Sequence, residues 1–409
     1  MVTILIAINQ SGEVVFLNGK KTHQELLSFK KNNRFHCPQC KQKVFLKVGT
    51  IKIAHFAHAA KETCSSFSEP ESLVHIQAKL QLYHWLSEKH LTVEMEKNYR
   101  LFNQRADIGL SVNGKEFAIE FQRSALTSTH FLNRTLGYYN HGIIPLWLLS
   151  HDRLSAPKPH KISLTSFHQQ FIRYSKTLKQ FYLLSYDVQS MSFIIYQLYF
   201  PLTKTTFTYS VSIIPLKNIH FPQFPLVKLH LTEQKLNPFL KYRVKWGDSR
   251  LLYGKGHVDP LLQRMYSSGL SVQLLPPWVG LPVRGAIEIN ETLMEWQSFL
   301  YVFIHNRSVS NCPFLLTDIS SYINDFITSR KIACSPFELS RKIDKPAIIQ
   351  YVELLVKMKI LNREDDYFSL NENNPFTKIE HIQHKERIYD RFHQEVTQVI
   401  IDHYNCSGL

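Results

Sequence analysis

The chain has 409 residues, enough for roughly two to three domains and for cores that need no disulfide staples. Hydrophobic residues at 44% against charged residues at 20% exclude an intrinsically disordered protein, and no run of eighteen apolar residues offers a membrane span. Lys and Arg number 48 against 33 Asp and Glu, a net charge of +15, which points to a polyanionic partner such as nucleic acid.

Residues 1–8 form a short apolar run with no basic leader and no cleavage-type site. They read as a first strand and not a signal peptide, so the expected compartment is the cytoplasm. Strands at 3–8 and 14–17 flank the turn Gln10-Ser11-Gly12. Of six cysteines, three crowd into 28 residues, which suggests a metal site and not a disulfide framework. Cys37-Pro38-Gln39-Cys40 has the spacing that lets two thiolates meet one tetrahedral ion. Residues 44–48 and 51–54 read as a tight hairpin around Gly49 that returns the chain to His55 and His58, and Cys64 lies six positions beyond. Cys37, Cys40, His58 and Cys64 are the expected ligands of a closed, structural zinc, with His55 beside them or substituting for either later ligand.

A helix follows at 70–87. Leu73, Ile76, Leu80 and Tyr83 keep the spacing of one buried face, while Glu71, His75 and Lys79 share another. Glu71 can add a carboxylate to a site, and His75 or Lys79 can contact phosphate or assist proton transfer; a solvated charge ladder is the alternative. Strands are expected at 91–100, 105–112 and 116–122. Asn113-Gly114 is the preferred type I′ turn pair, and a two-residue loop sets Ile108 opposite Ile119, Leu110 opposite Phe117 and Ala106 opposite Phe121. The other face opposes Asp107 to Glu120 and Arg105 to Gln122. Like charges that close are destabilising unless a cation sits between them or one carboxyl is protonated. Two carboxylates, an amide and water suit Mg²⁺ or Mn²⁺, although Arg105, Arg123 or Lys115 can instead neutralise the pair in solvent. In a helix at 125–140, Arg134 and Tyr138 share a face as phosphate contacts or as ordinary core and surface. A buried strand at 143–150 precedes a Pro- and base-rich boundary at 151–161.

Beyond it, 181–216 reads as strands forming a sheet core, and helices dominate from about 291. Residues 335–343, 344–346 and 347–360 read as helix, turn, helix, with 362–370 as a two-stranded wing. That is either a winged helix or two ordinary packed helices. The fold class is α+β and multidomain: a hairpin and zinc-binding β lobe (1–66), an α/β domain (67–152), and a β-then-helical region (162–409).

The ordered motifs CPQC, GTIKIAHFAH, ESLVHIQAK, QRADIGL, FAIEFQRS, RTLGYY and PLWLL resemble the competence protein CoiA family of Gram-positive bacteria. The resemblance is specific over about 1–150 and weaker beyond. It implies a PD-(D/E)xK nuclease-like central domain and a role in handling incoming DNA, single-stranded or branched, during transformation and recombination, with other recombination proteins as partners. It places the first acidic group at Asp107, the Glu-x-Lys element on Glu120-Phe121-Gln122 and the helix carboxylate on Glu71. Gln122 departs from the commonest form, which has Lys. The cation role then moves to Lys79, Arg123 or Arg105, or the chain is a DNA-binding mediator without catalysis.

Overall fold

The short apolar runs of the N-terminus pair as strands in the computed structural model of the chain, which describes residues 3–38, 40–49, 53–59, 72–89, 91–254, 258–289, 291–328 and 346–406. β1 (Thr3–Ile4), β2 (Ile6–Asn9), β3 (Val14–Phe16), β4 (Phe35–His36), β5 (Lys43–Lys47) and β6 (His55–His58) form one sheet in the order β1-β6-β5-β4-β2-β3. Helix α1 (His23–Asn32) starts at a capping box in which Thr22 and Glu25 satisfy each other's backbone N–H. The second hairpin differs from the expected one. The strand that returns to β5 is β6 itself, in the register Val44 opposite His58 and Lys47 opposite His55, so both histidines lie within the strand. β6 has partners on both sides, β5 and β1, and this double pairing fixes its position.

Contacts divide the chain into two compact units, one of residues 1–154, 184–195 and 212–225 and one of 155–183, 196–211 and 226–409. In the first, helix α2 (Leu73–Glu88) is capped by Ser72, whose side chain accepts from the His75 N–H. It buries more than one face. Ile76 and Leu80 join the core of the N-terminal sheet, while Trp85 packs on Phe193 and Phe221. Lys79 has no exposed surface, so the solvated ladder is not what forms.

The strand expected at 91–100 is interrupted. β7 (Thr92–Met95) and β8 (Asn98–Tyr99) are separated at Glu96, whose φ of 53° is left-handed. β9 (Gln104–Arg105), β10 (Ile108–Val112) and β11 (Lys115–Gln122) follow. Asn113 and Gly114 both have positive φ, 50° and 72°, as a type I′ turn requires. Ile108 therefore pairs with Ile119 and Leu110 with Phe117, in the register that the turn predicts, but the ladder ends at Ile108 and Arg105 pairs with Asn98 in β8–β9 instead of standing opposite Gln122. Helix α3 (Ser128–Tyr139) carries the chain over to β12 (Ile143–Ser150), parallel to β11 with Glu120 beside Trp147.

In the second unit, β13 (Lys161–Ser163), α4 (Ser166–Gln169) and β14 (Ile172–Ser175) lead into β15 (Gln180–Asp187), β16 (Ser192–Pro201) and β17 (Thr206–Pro215), of which β15–β17 have residues in both units. Every residue of β16 is buried, as a sheet core demands. Helices begin well before 291: α5 (Glu233–Val244), α6 (Trp246–Tyr253) and α7 (Pro260–Ser267). They are short, with Pro238 inside the first and glycines at 247 and 254, and such punctuation hides helical periodicity. α8 (Leu293–Val309) is buried on almost every side. β18 (Phe314–Leu315) and α9 (Leu316–Thr328) precede α10 (Ala347–Lys357), β19 (Leu361–Glu364), β20 (Tyr367–Leu370) and α11 (Lys385–Cys406). β19 and β20 pair as the expected wing and β18 joins them through Phe314 and Phe368. The helix expected at 335–343 lies outside the described residues. Tyr351, Leu354 and Leu355 of α10 are fully buried.

Candidate functional site

Two clusters of chemistry-bearing side chains lie in the first unit. The first follows from strand alternation. His55 and His58 are three residues apart on β6 and point to opposite faces. His58 is buried on the side of Phe56, with Nε2 3.3 Å from the Cys40 sulfur, while His55 Nδ1 bonds the Ile53 carbonyl at 2.8 Å. Cys37 and Cys40 sit at a knuckle in which the Lys41 N–H donates to the Cys37 carbonyl and the Cys37 N–H to the Gln42 carbonyl. Ligand atoms of Cys37, Cys40 and His58 all lie within 4.8 Å of one another and can hold a metal ion. Ligands on one tetrahedral zinc are separated by about 3.5 Å, so the sulfur and imidazole donors fit such an ion. Cys64 lies outside the described residues.

The second cluster is built on α2, the β10–β11 hairpin and α3. Asp107 and Glu120 flank the last paired position, Ile108 with Ile119. Asp107 Oδ2 accepts from His75 Nε2 at 3.0 Å and from the Phe121 N–H at 2.8 Å. Glu120 Oε1 accepts from Arg134 Nη2 and the Tyr138 hydroxyl, so α3 turns both of those side chains onto this one carboxylate. Arg134 also donates to the Arg105 carbonyl at 3.1 Å and lies over the Trp147 ring, and Tyr138 is wholly buried. Among the described residues, Asp107 Oδ1 and Glu120 Oε2 take no hydrogen bond. His75, Asp107 and Glu120 are not gathered as tightly as the cysteine cluster.

The two carboxyls differ in charge state. Burial by itself would raise Asp107, but the His75 charge and hydrogen bond, Lys79 and the Phe121 N–H hold it well below the usual carboxylate range. For Glu120 burial prevails over the pull of Arg134, and with Asp107 adding its repulsion the carboxyl is pushed up to about 7. Such a split between neighbouring carboxyls is one answer to their mutual repulsion.

Beneath them lies an ionic network that sequence patterning does not reveal. Lys79 Nζ donates to Glu96 Oε1 at 2.8 Å, Arg105 to Oε2 at 3.2 Å, and the Leu5 N–H to Oε1 at 3.2 Å. The Glu96 N–H bonds the Asp107 carbonyl at 2.8 Å. Glu96 reads in sequence as one more outward acid on a strand; only its left-handed backbone turns it inward. Arg105 and Lys79 are thus committed to Glu96. Gln122 donates its amide to the Ser124 carbonyl at 2.8 Å, and Arg123 pairs with Asp152 at the surface. Glu71 lies outside the described residues.

A helix, an antiparallel three-stranded run and a helix crossing to a parallel strand, with carboxylates at the end of the central hairpin, define a nuclease-like α/β domain. Residues 71–228 match the family model of the competence protein CoiA nuclease-like domain, residues 18–67 that of its N-terminal domain and residues 236–384 that of its C-terminal domain. The chain belongs to the competence protein CoiA family. It is 27% identical over 367 residues to the Competence protein CoiA of Bacillus subtilis (strain 168), covering 87% of this chain and 94% of that protein. No solved structure matches it. Among the described residues no helix is long and apolar enough to cross a membrane.

Proposed function

We propose that the chain is a divalent-metal-dependent DNA nuclease serving competence, in the processing of incoming DNA for recombination. The observation that carries this reading is the carboxylate pair: two side chains fixed by a type I′ turn, each with one oxygen committed to the protein and the other without a hydrogen bond among the described residues. Hard oxygen donors of this kind suit Mg²⁺ or Mn²⁺, which when bound supplies Lewis-acid stabilisation of the phosphorus centre and a more acidic water. Asp107 and Glu120 are the proposed ligands, with Glu71 a third carboxylate. Arg134 and Tyr138 fix the angle of Glu120, and Arg134, 25% exposed, keeps an edge for phosphate. His75, held by Asp107 and 18% exposed, is placed to accept or donate a proton. Lys79 supplies positive charge from below, in place of the lysine absent at Gln122. Arg105 and Arg123, paired with Glu96 and Asp152, add little net positive charge of their own. Cys37, Cys40 and His58, completed by Cys64, hold a structural zinc in this reading.

A second reading has its own support. The Gln122 amide is engaged with Ser124 and brings no charge to the site, as in a domain that binds DNA and recruits recombination proteins without cutting it. Cleavage of single-stranded, duplex and branched DNA with Mg²⁺ or Mn²⁺, compared between the native chain and Asp107→Asn/Glu120→Gln, separates the two. Metal-dependent products that vanish in the variant while binding persists support the nuclease. If the native chain cuts none of these substrates with either ion, the mediator reading stands.

A further inference from the structure

The first 59 residues carry nine Lys and Arg and two Glu, so close to half of the chain's surplus of fifteen positive charges lies in this short stretch. Both acids are engaged locally, Glu25 in the capping box at Thr22 and Glu13 as acceptor from Asn9 at 2.8 Å. The basic residues meet an aromatic ring on β5. Alternation buries Val44 and Leu46 and sets Lys43, Phe45 and Lys47 on the solvent face. The register brings His36 beside Lys43 and His55 beside Lys47, and puts the small Ala57 beside Phe45. Phe45 is 42% exposed, and Lys43 Nζ lies 5.1 Å from its ring centre. Lys41, exposed and left-handed at φ 59°, projects from the cysteine knuckle that leads into the strand.

Lysines on both sides of the ring disfavour an apolar partner, which would strip them of water, and repel a basic one. A ring face bracketed by cations is instead complementary to an unpaired base with phosphates on either side. We propose that this face of the N-terminal lobe binds single-stranded nucleic acid, with a base stacked on Phe45 and phosphates at Lys41, Lys43 and Lys47. The surface is separate from the carboxylate pair, and binding there requires no cleavage.

The test is fluorescence anisotropy of a labelled oligothymidylate of twenty nucleotides with the full chain, without added divalent ion. Phe45→Ala is expected to weaken binding about tenfold and Phe45→Trp to restore it, since stacking tolerates any large ring. Lys43→Gln/Lys47→Gln is expected to flatten the log–log salt slope by about 1.4. Unchanged affinity in Phe45→Ala, or no rescue by Phe45→Trp, overturns the proposal. If Phe45→Ala fails to fold, the lysine variant decides, and an unaltered salt slope overturns it. Affinity is read without divalent ion, so a native chain that cuts none of the DNA substrates leaves this result readable.

Discussion

Lys79→Met removes a charge that has no solvent to retreat to. Lys79 is wholly buried and Glu96 is 7% exposed, with the charged atoms 2.8 Å apart. Methionine keeps most of the stem, so the loss is electrostatic and not a cavity. Removing one member of a buried pair costs about 3–5 kcal/mol, because the remaining charge stays desolvated. Arg105, 3.2 Å from the other Glu96 oxygen, keeps the expected loss near the lower end, about 3 kcal/mol. That is a large share of the 5–15 kcal/mol by which a domain is stable. Adding Glu96→Gln removes the stranded carboxylate while leaving an acceptor for the Leu5 N–H. The double variant strands Arg105 in turn, so it is expected to stay below native but to lose about 1 kcal/mol or more less than the sum of the two singles. Hydrogen exchange of β7, β10 and β11 in increasing urea reads these strands directly, which a chain of two units requires. A Lys79→Met variant within about 1 kcal/mol of native, or a double variant equal to the sum of the singles, would show that Lys79 and Glu96 are not coupled.

The raised Glu120 carboxyl makes stability depend on pH. A folded value of about 7 against an ordinary 4.5 means that the stabilisation is fully present below about 4.5 and is lost as pH rises through 7. Glu120→Gln is expected to flatten that decline in metal-free unfolding curves, and an identical slope in both proteins contradicts the assignment. Cys40→Ala is expected to abolish stoichiometric zinc in the purified chain, whereas His55→Ala retains it; mass spectrometry under native conditions counts the metal. Arg123→Ala is expected to change stability by less than about 1 kcal/mol, since its pair with Asp152 is partly exposed, and thermal unfolding checks this. DNA affinity is expected to fall steeply between 50 and 200 mM salt, roughly a thousandfold or more if six or more phosphates are contacted, which a filter-binding titration measures.

Much of the site's frame was legible because it rests on local rules. Asn113-Gly114 requires positive φ at both positions, so the turn sets the register, and the register makes Asp107 and Glu120 neighbours. Cys37-Pro38-Gln39-Cys40 announced, in the same way, a pair of cysteines that can share an ion. The choice between His55 and His58 was legible only once both were known to lie within one strand, since a period of two separates residues three apart. Glu96 carried no such signal. Its inward turn depends on a backbone conformation that side-chain pattern does not encode and that Lys79, Arg105 and Leu5 reward from distant points of the chain.

Taken by itself, the amino-acid order settles what short-range sterics and periodicity can settle: the hairpin, the cysteine knuckle, and the positive charge that a nucleic acid would meet. Three-dimensional packing decided the rest. Whether a carboxyl is ionised depends on how much water it has lost and which charges stand beside it. Those neighbours reach Asp107 and Glu120 from α2 and α3, elements that only the folded chain brings together.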